Sequence, residues 1–298
     1  MRRSLYGLTM DAPWPLPCPA GEGPVDVKFV RSARKPSPRP RAWFARERAA
    51  DGTEHLVWRD IFEFDVAPDG RQVSFVPLAG ASETVLQTYV LSQVLSFVCL
   101  NLGREVFHAT ALERDGQAVA LTGLPGQGKS TLAAALLTRG WRMLTDDLML
   151  LDGDAVMPGF GRIKLFPRSA KILGLRGTPM GPDTKKEAIQ LPPQAVCAEP
   201  RALAGIYVLK NTQSQRATLR RLGPRSSFVE LTRNTYNDVV TEPDRLARQL
   251  QAAAALTRSI PVTSLSFPRR LAALPLACEA LERDLMKTPL PGWGPAED

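Results

Sequence analysis

Cysteine and histidine are scarce in this chain, and the scarcity removes whole classes of chemistry. The four cysteines, Cys18, Cys99, Cys197 and Cys278, show no C-x-x-C spacing. With only two histidines in 298 residues, a zinc site is not expected, and four scattered thiols do not form a disulfide framework. Long apolar runs are also missing. The start, Met1 to Leu8, lacks an apolar core long enough for a signal peptide before Asp11 and Pro13 interrupt it. The most hydrophobic stretch, Val85 to Leu102, is broken by Gln87, Ser92, Gln93, Ser96 and Asn101, so it reads as a core helix capped by Ser82 rather than a membrane span. A cytoplasmic protein with no membrane partner is the expectation. Acid is in deficit, with 30 Asp and Glu against 38 Lys and Arg. That balance favours anionic ligands, but the basic residues of 31–48 and 210–233 are mostly without interleaved aromatics and carry no nucleic-acid motif, so no nucleic-acid partner is expected.

What is present centres on Gly123-Leu124-Pro125-Gly126-Gln127-Gly128-Lys129-Ser130, followed by Thr131 and an apolar run. It fits G-x-x-x-x-G-K-[ST], the Walker A pattern, in which the amides of a glycine-rich turn and the positive end of the next helix face phosphates. The strand-like Gln117–Thr122 precedes it and the helix-like Lys129–Arg139 follows, so the motif sits where a strand must become a helix. Asp115-Gly116 suits a tight hairpin turn delivering the chain to the loop. His108 lies on the incoming strand with the parity of Thr110 and Leu112, where packing is the commoner role for a lone histidine. Asp146-Asp147 end the next strand, where a carboxylate can serve a Mg²⁺ or accept a proton from an attacking hydroxyl.

Elsewhere the pattern predicts a small β-rich domain over 1–80, including a hairpin turning at Pro68-Asp69-Gly70, and a second domain over 81–298. The Pro-rich basic segment 31–41 reads as an exposed loop. Residues 176–200, rich in Pro and charge, read as a mobile loop suited to a lid. Lys164 has two readings, a contact to phosphate or acidic substrate and a solvent-facing side chain. Strands at 204–209, 217–222 and 261–267 alternate with helices at 224–236, 243–258 and 274–286, which gives an α/β fold.

The run from His108 to Asp147 resembles the catalytic domain of bacterial HPr kinase/phosphorylase. The resemblance rests on a histidine before a β-turn, the G-x-x-G-x-G-K-S loop, a helix ending in Arg139-Gly140 and a strand delivering the paired Asp. Tyr6-Gly7-Leu8, Pro15-Leu16-Pro17 and His108-Ala109-Thr110-Ala111-Leu112 look like the HPr-kinase-like serine kinases associated with lasso-peptide biosynthesis. This resemblance implies an HPr kinase-like P-loop core and transfer of the γ-phosphate of ATP, with Mg²⁺, to a serine of a peptide or small protein, such as the C-terminal serine of a lasso precursor. Carried over by position, Gly123, Pro125, Gly126, Gln127, Gly128, Lys129, Ser130 and Thr131 would bind the nucleotide and Ser130 would ligate Mg²⁺. Asp146 would be the general base, with Asp147 supporting it or the metal, and His108 would line the site. One departure stands out: no Asp or Glu occurs between Ala155 and Pro182, where the family carries a metal-proximal acid. The Gly-rich signature segment that the family associates with the reverse phosphorylase reaction is also not found, so the resemblance implies kinase activity alone. A small-molecule kinase and a nucleotide-dependent regulatory module are the alternatives, and a homo-oligomer is left open.

Overall fold

The computed structural model describes residues 1–78, 83–180 and 184–287. The chain divides after Val106 into two compact units. The first is built on seven strands, β1 (Arg2–Leu5), β2 (Leu8–Asp11), β3 (Val27–Arg31), β4 (Phe44–Arg48), β5 (Glu54–Trp58), β6 (Phe62–Val66) and β7 (Gln72–Pro77). They form one sheet in the order β1-β2-β3-β7-β6-β5-β4. The hairpin expected around Pro68-Asp69-Gly70 is the β6–β7 pair, with Phe64 opposite Phe75. Arg31 ends β3, and residues 32–41 form no strand or helix, in keeping with Pro36, Pro38 and Pro40.

The unit boundary lies later than residue 80, and aromatic packing is the reason. The apolar stretch forms α1 (Glu83–Tyr89), a π-helical turn (Val90–Val94) and α2 (Leu95–Asn101). Its inner face belongs to the N-terminal sheet: the Tyr89 ring stands 5.4 Å from Trp58 and 5.1 Å from Phe62, and Trp58 Nε1 donates to Gln93 Oε1 at 2.9 Å. The proposed Ser82 cap lies outside the described residues. No helix of the described residues is long and apolar enough to cross a membrane. Trp58 is fully buried among these rings. Trp58→Ala is therefore expected to destabilise this unit by about 3–5 kcal/mol, measured as a lowered urea midpoint.

The second unit is a mixed α/β layer structure. Its main sheet has eight strands: β8 (Val106–Arg114), β9 (Gln117–Thr122), β10 (Arg142–Thr145), β11 (Leu148–Asp152), β12 (Ala155–Val156), and, beyond the small sheet described below, β16 (Arg201–Thr212), β17 (Thr218–Arg221) and β18 (Val262–Pro268). The β8–β9 hairpin turns at Asp115-Gly116, both at positive φ, as the pair predicts. β9 then pairs in parallel with β16, and β16 in parallel with β18. Strand residues alternate between two apolar cores. Leu112, Val119, Leu121, Tyr207 and Leu209 pack with α3 (Lys129–Leu137) and α7 (Leu274–Lys287). Ala109, Ala111, Ala118, Ala120, Ile206 and Val208 pack with Leu231 of α5 (Pro224–Arg233) and Ala253 and Leu256 of α6 (Pro243–Ser259).

The described part of the segment expected to be a mobile loop contains two short strands. β13 (Arg162–Leu165) leads through α4 (Pro167–Ile172) to β14 (Thr178–Pro179) and β15 (Glu187–Gln190). β15 pairs with both β13 and β14, forming a small third sheet, and Ile189 is buried beside Ile163 in the α3-side core. The backbone ladder outweighs the loop-forming composition of the segment.

Candidate active site

The glycine-rich loop joins β9 to α3, as the sequence pattern predicts. Its curvature depends on two positions in particular. Gly123 has φ 142°, and a Cβ there would stand 2.5 Å from Gln127 Oε1 and 3.0 Å from Leu209 O of β16. Gly128, immediately before α3, has φ 91°, so the helix starts directly from a left-handed residue. The loop is braced from inside and outside. Gln127 Oε1 accepts from Leu124 N at 2.9 Å, and Asn234 Oδ1 accepts from Gly123 N at 3.0 Å. Asn234 also accepts, through its carbonyl, the His108 amide at 2.8 Å, so one residue at the end of α5 ties the loop to β8. Lys129 is buried and donates to Gly123 O at 2.7 Å. Burial lowers its pKa, and the charges of Asp147 and Asp146 oppose that shift.

The two aspartates have different surroundings. Asp146 is buried and fully engaged: Oδ1 accepts from Thr110 Oγ1 at 2.8 Å and from Ser130 Oγ at 3.0 Å, and Oδ2 accepts the Lys164 amide at 3.0 Å. Burial and the adjacent Asp147 charge raise its pKa. Asp147 has φ 71°, a left-handed conformation that Asp and Asn adopt more readily than other non-glycine residues. Its carboxylate pairs with Lys164 Nζ. Burial works against the Asp147 charge, but the Lys164 ammonium outweighs it and holds the carboxyl well below the usual carboxylate range. Of the two readings open for Lys164, the solvent-facing one does not describe its place: it lines the cavity, ion-paired with Asp147.

His108 and Thr110 share one face of β8, and the half-buried His108 ring stands 5.5 Å from Tyr236. Burial, reinforced by the charge of Lys129, pushes the His108 pKa down to about 4, so the imidazole is neutral at neutral pH. His108, Pro125, Gly126, Gln127, Gly128, Lys129, Ser130, Thr131 and Asp147 line one cavity of about 450 Å³. Every site residue expected from the sequence thus faces this cavity except Gly123 and Asp146. Gly123 forms the base of the loop, and Asp146 holds Ser130 from behind. The cavity's other walls add Lys164, Lys186, Arg269 and Arg270, together with the apolar Leu165, Phe166, Phe267 and Leu271.

No family model matches the chain, and no curated protein matches it in sequence. Among solved structures, the Hpr(Ser) kinase/phosphatase from Coxiella burnetii is similar. The identity is 16%, the match covers 61% of this chain and 97% of that chain, and the TM-score is 0.34. The reading of the site therefore rests on the geometry of its own residues.

Several contributors were not singled out from the sequence. Thr110 had a signal, since it shares the parity of His108 on one strand. Asn234, Lys186 and Arg269 had none, because each reaches the loop from an element far along the chain. The Arg269 guanidinium, carried just past β18, stands 3.3 Å from where a Cβ on Gly126 would lie. Lys186 lies over the Phe166 ring at 5.7 Å. The cavity therefore joins a cationic wall, the Asp147 carboxylate at its loop side and an apolar shelf, an arrangement suited to holding a polyanion beside a hydroxyl group.

Proposed function

We propose that this chain transfers the γ-phosphoryl group of ATP to a serine hydroxyl of a peptide or small protein. The observation that carries the reading is the Ser130–Asp146 hydrogen bond at 3.0 Å, set directly behind a cavity shared by Lys129, Asp147 and His108. A glycine-rich loop alone holds phosphate; the carboxylates add what phosphoryl transfer to a hydroxyl needs. The loop amides and the first turn of α3, with Ser130 and Thr131, face the phosphates. Lys129 exchanges its bond to Gly123 O for the β and γ phosphate oxygens.

Mg²⁺ suits the oxygen pair Ser130 Oγ and Asp146. Among the described residues no group of three or more His, Cys, Asp or Glu gathers. Such a sparse donor set fits a hard cation that takes its remaining ligands from phosphate and water. When bound, Mg²⁺ neutralises part of the phosphate charge. The roles drawn from the resemblance are exchanged in this proposal. Asp146, turned towards Ser130 with its oxygens occupied, serves the cation. Asp147, facing the cavity, accepts the hydrogen bond of the serine hydroxyl, orients it, and takes its proton late, as charge moves onto the phosphoryl group. Neutral His108 lines the acceptor side. The resemblance extends the acceptor to the C-terminal serine of a lasso precursor peptide.

Intact-mass analysis of peptides ending in serine, incubated with the protein, ATP and Mg²⁺, tests the reading, and a gain of one phosphate is expected. Transfer to small metabolites but to no peptide would move the assignment to a small-molecule kinase. Nucleotide binding with no transfer would make the chain a regulatory module. Within the same reading, Gly123→Ala forces Gln127 and the β16 backbone apart. Strain of about 1–3 kcal/mol there corresponds to roughly 5–150-fold weaker nucleotide binding by calorimetric titration.

A further inference from the structure

The N-terminal unit carries a separate constellation of nucleophile, base and carboxylate. Ser37 lies in the loop between β3 and β4, flanked by Pro36 and Pro38, whose rings fix their own φ and keep the residues before them extended. Its Oγ stands 3.0 Å from His55 Nε2, and His55 Nδ1 stands 2.5 Å from Asp65 Oδ1. His55 and Asp65 are direct cross-strand partners on β5 and β6, so the sheet register holds base and carboxylate together. Burial alone would raise the Asp65 pKa, but the hydrogen bond from His55 and the Arg34 charge hold it below its ordinary value. A carboxylate at Nδ1 keeps the imidazole proton there, leaving Nε2 to accept from the serine hydroxyl.

A cation completes the group. Arg34 Nη1 donates to Ser37 Oγ at 3.0 Å and to the buried Glu63 Oε2 at 2.8 Å, and Arg34 Nη2 reaches Asp65 Oδ2 at 3.3 Å. The Ser37 amide donates to Glu63 Oε1 at 2.7 Å, which pins the loop to the sheet. The guanidinium thus helps hold the Ser37 hydroxyl against His55. Ser37 remains half-buried and open to small reagents.

We propose that Ser37, His55 and Asp65 form a nucleophilic triad that hydrolyses small carboxylic esters, with Arg34 as a positioning residue for the serine. This activity is independent of the phosphoryl transfer proposed above. Ser37 Oγ bonds to the acyl carbon while its proton passes to His55 Nε2. The ester C–O bond breaks, and the departing alcohol takes that proton. Water then attacks the acyl-serine, giving up a proton to His55 that returns to Ser37 as the carboxylic acid leaves.

The test uses the full chain, a fluorophosphonate probe that phosphonylates activated serines with loss of fluoride, and peptide mapping by mass. The wild type is expected to carry the adduct on Ser37, and Ser37→Ala to carry none there. His55→Gln is expected to slow labelling by about 10²–10⁴-fold. p-Nitrophenyl acetate hydrolysis should fall in parallel. Thermal melting confirms that each variant is folded, and Asp65→Asn replaces His55→Gln if that variant does not fold. An unlabelled Ser37 in the folded wild type, or a labelling rate unchanged in the folded base variant, overturns the proposal. A network that only anchors the loop would lower the melting temperature of Ser37→Ala while leaving the wild type unreactive, which also overturns it.

Discussion

Asp147→Asn is expected to reduce phosphoryl transfer by about 10²–10⁴-fold, with nucleotide affinity close to that of the wild type. The substitution keeps the shape of the side chain and removes its charge, and with it the ability to take the serine proton. The left-handed backbone at this position, φ 71°, is one that asparagine tolerates well, so the loop keeps its geometry. Lys164 loses its partner in the variant, which adds a cation to a cavity already rich in them. Nucleotide binding should therefore hold or tighten. Single-turnover transfer together with calorimetric titration separates the two effects. Asp146→Asn provides the contrast, because its carboxylate serves Ser130 and not the acceptor. In that variant the Mg²⁺ concentration giving half-maximal rate should rise. Near-normal transfer by Asp147→Asn, with the large loss falling instead on Asp146→Asn at saturating Mg²⁺, would restore the roles drawn from the resemblance.

Lys129→Met carries the second large effect, and it separates function from stability. Loss of an ammonium aimed at the β and γ phosphates should cost about 10²–10³-fold in transfer. Stability should move the other way. Burial lowers the Lys129 pKa from its ordinary 10.5, so the charged form is penalised in the folded state. That penalty is fully present below the folded pKa and fades as pH rises from the folded value through the unfolded one. At neutral pH a methionine of similar length, without the charge, relieves it. The melting temperature of Lys129→Met is expected to equal or exceed that of the wild type, by calorimetry without nucleotide. A clear loss of stability would mean that the Lys129–Gly123 hydrogen bond at 2.7 Å outweighs the burial cost.

Much of the candidate site was legible because its signals are local. Asp115-Gly116 marks the hairpin, the glycines mark the loop, and Asp146-Asp147 follow at a fixed distance on the next strand. Parity along β8 placed His108 and Thr110 together before any fold was known. The unread contributors entered through long-range packing. Asn234 caps the loop from the end of α5, and Arg269 reaches Gly126 from beyond β18; no periodicity links either to residue 123. The unit boundary moved for a similar reason, since only the contacts of Tyr89 and Gln93 with Trp58 reveal which sheet the apolar helix serves. The strand β15 within 176–200 was not read because it is only four residues long, too short for its alternation to stand out among prolines and charges.

The parallel pairing of β9 with β16 also sets an order of events during synthesis. The β8–β9 hairpin closes through neighbours in sequence and can form early. The loop that follows cannot settle at that stage, because Leu209, whose carbonyl backs Gly123, has yet to leave the ribosome. A nascent chain ending before Arg201 therefore holds the whole glycine-rich motif without the geometry that makes it a binding loop. On the proposed function, competence to bind nucleotide would arise late, when the far strand docks, and ATP would stabilise the completed domain while contributing little to the intermediates that precede it.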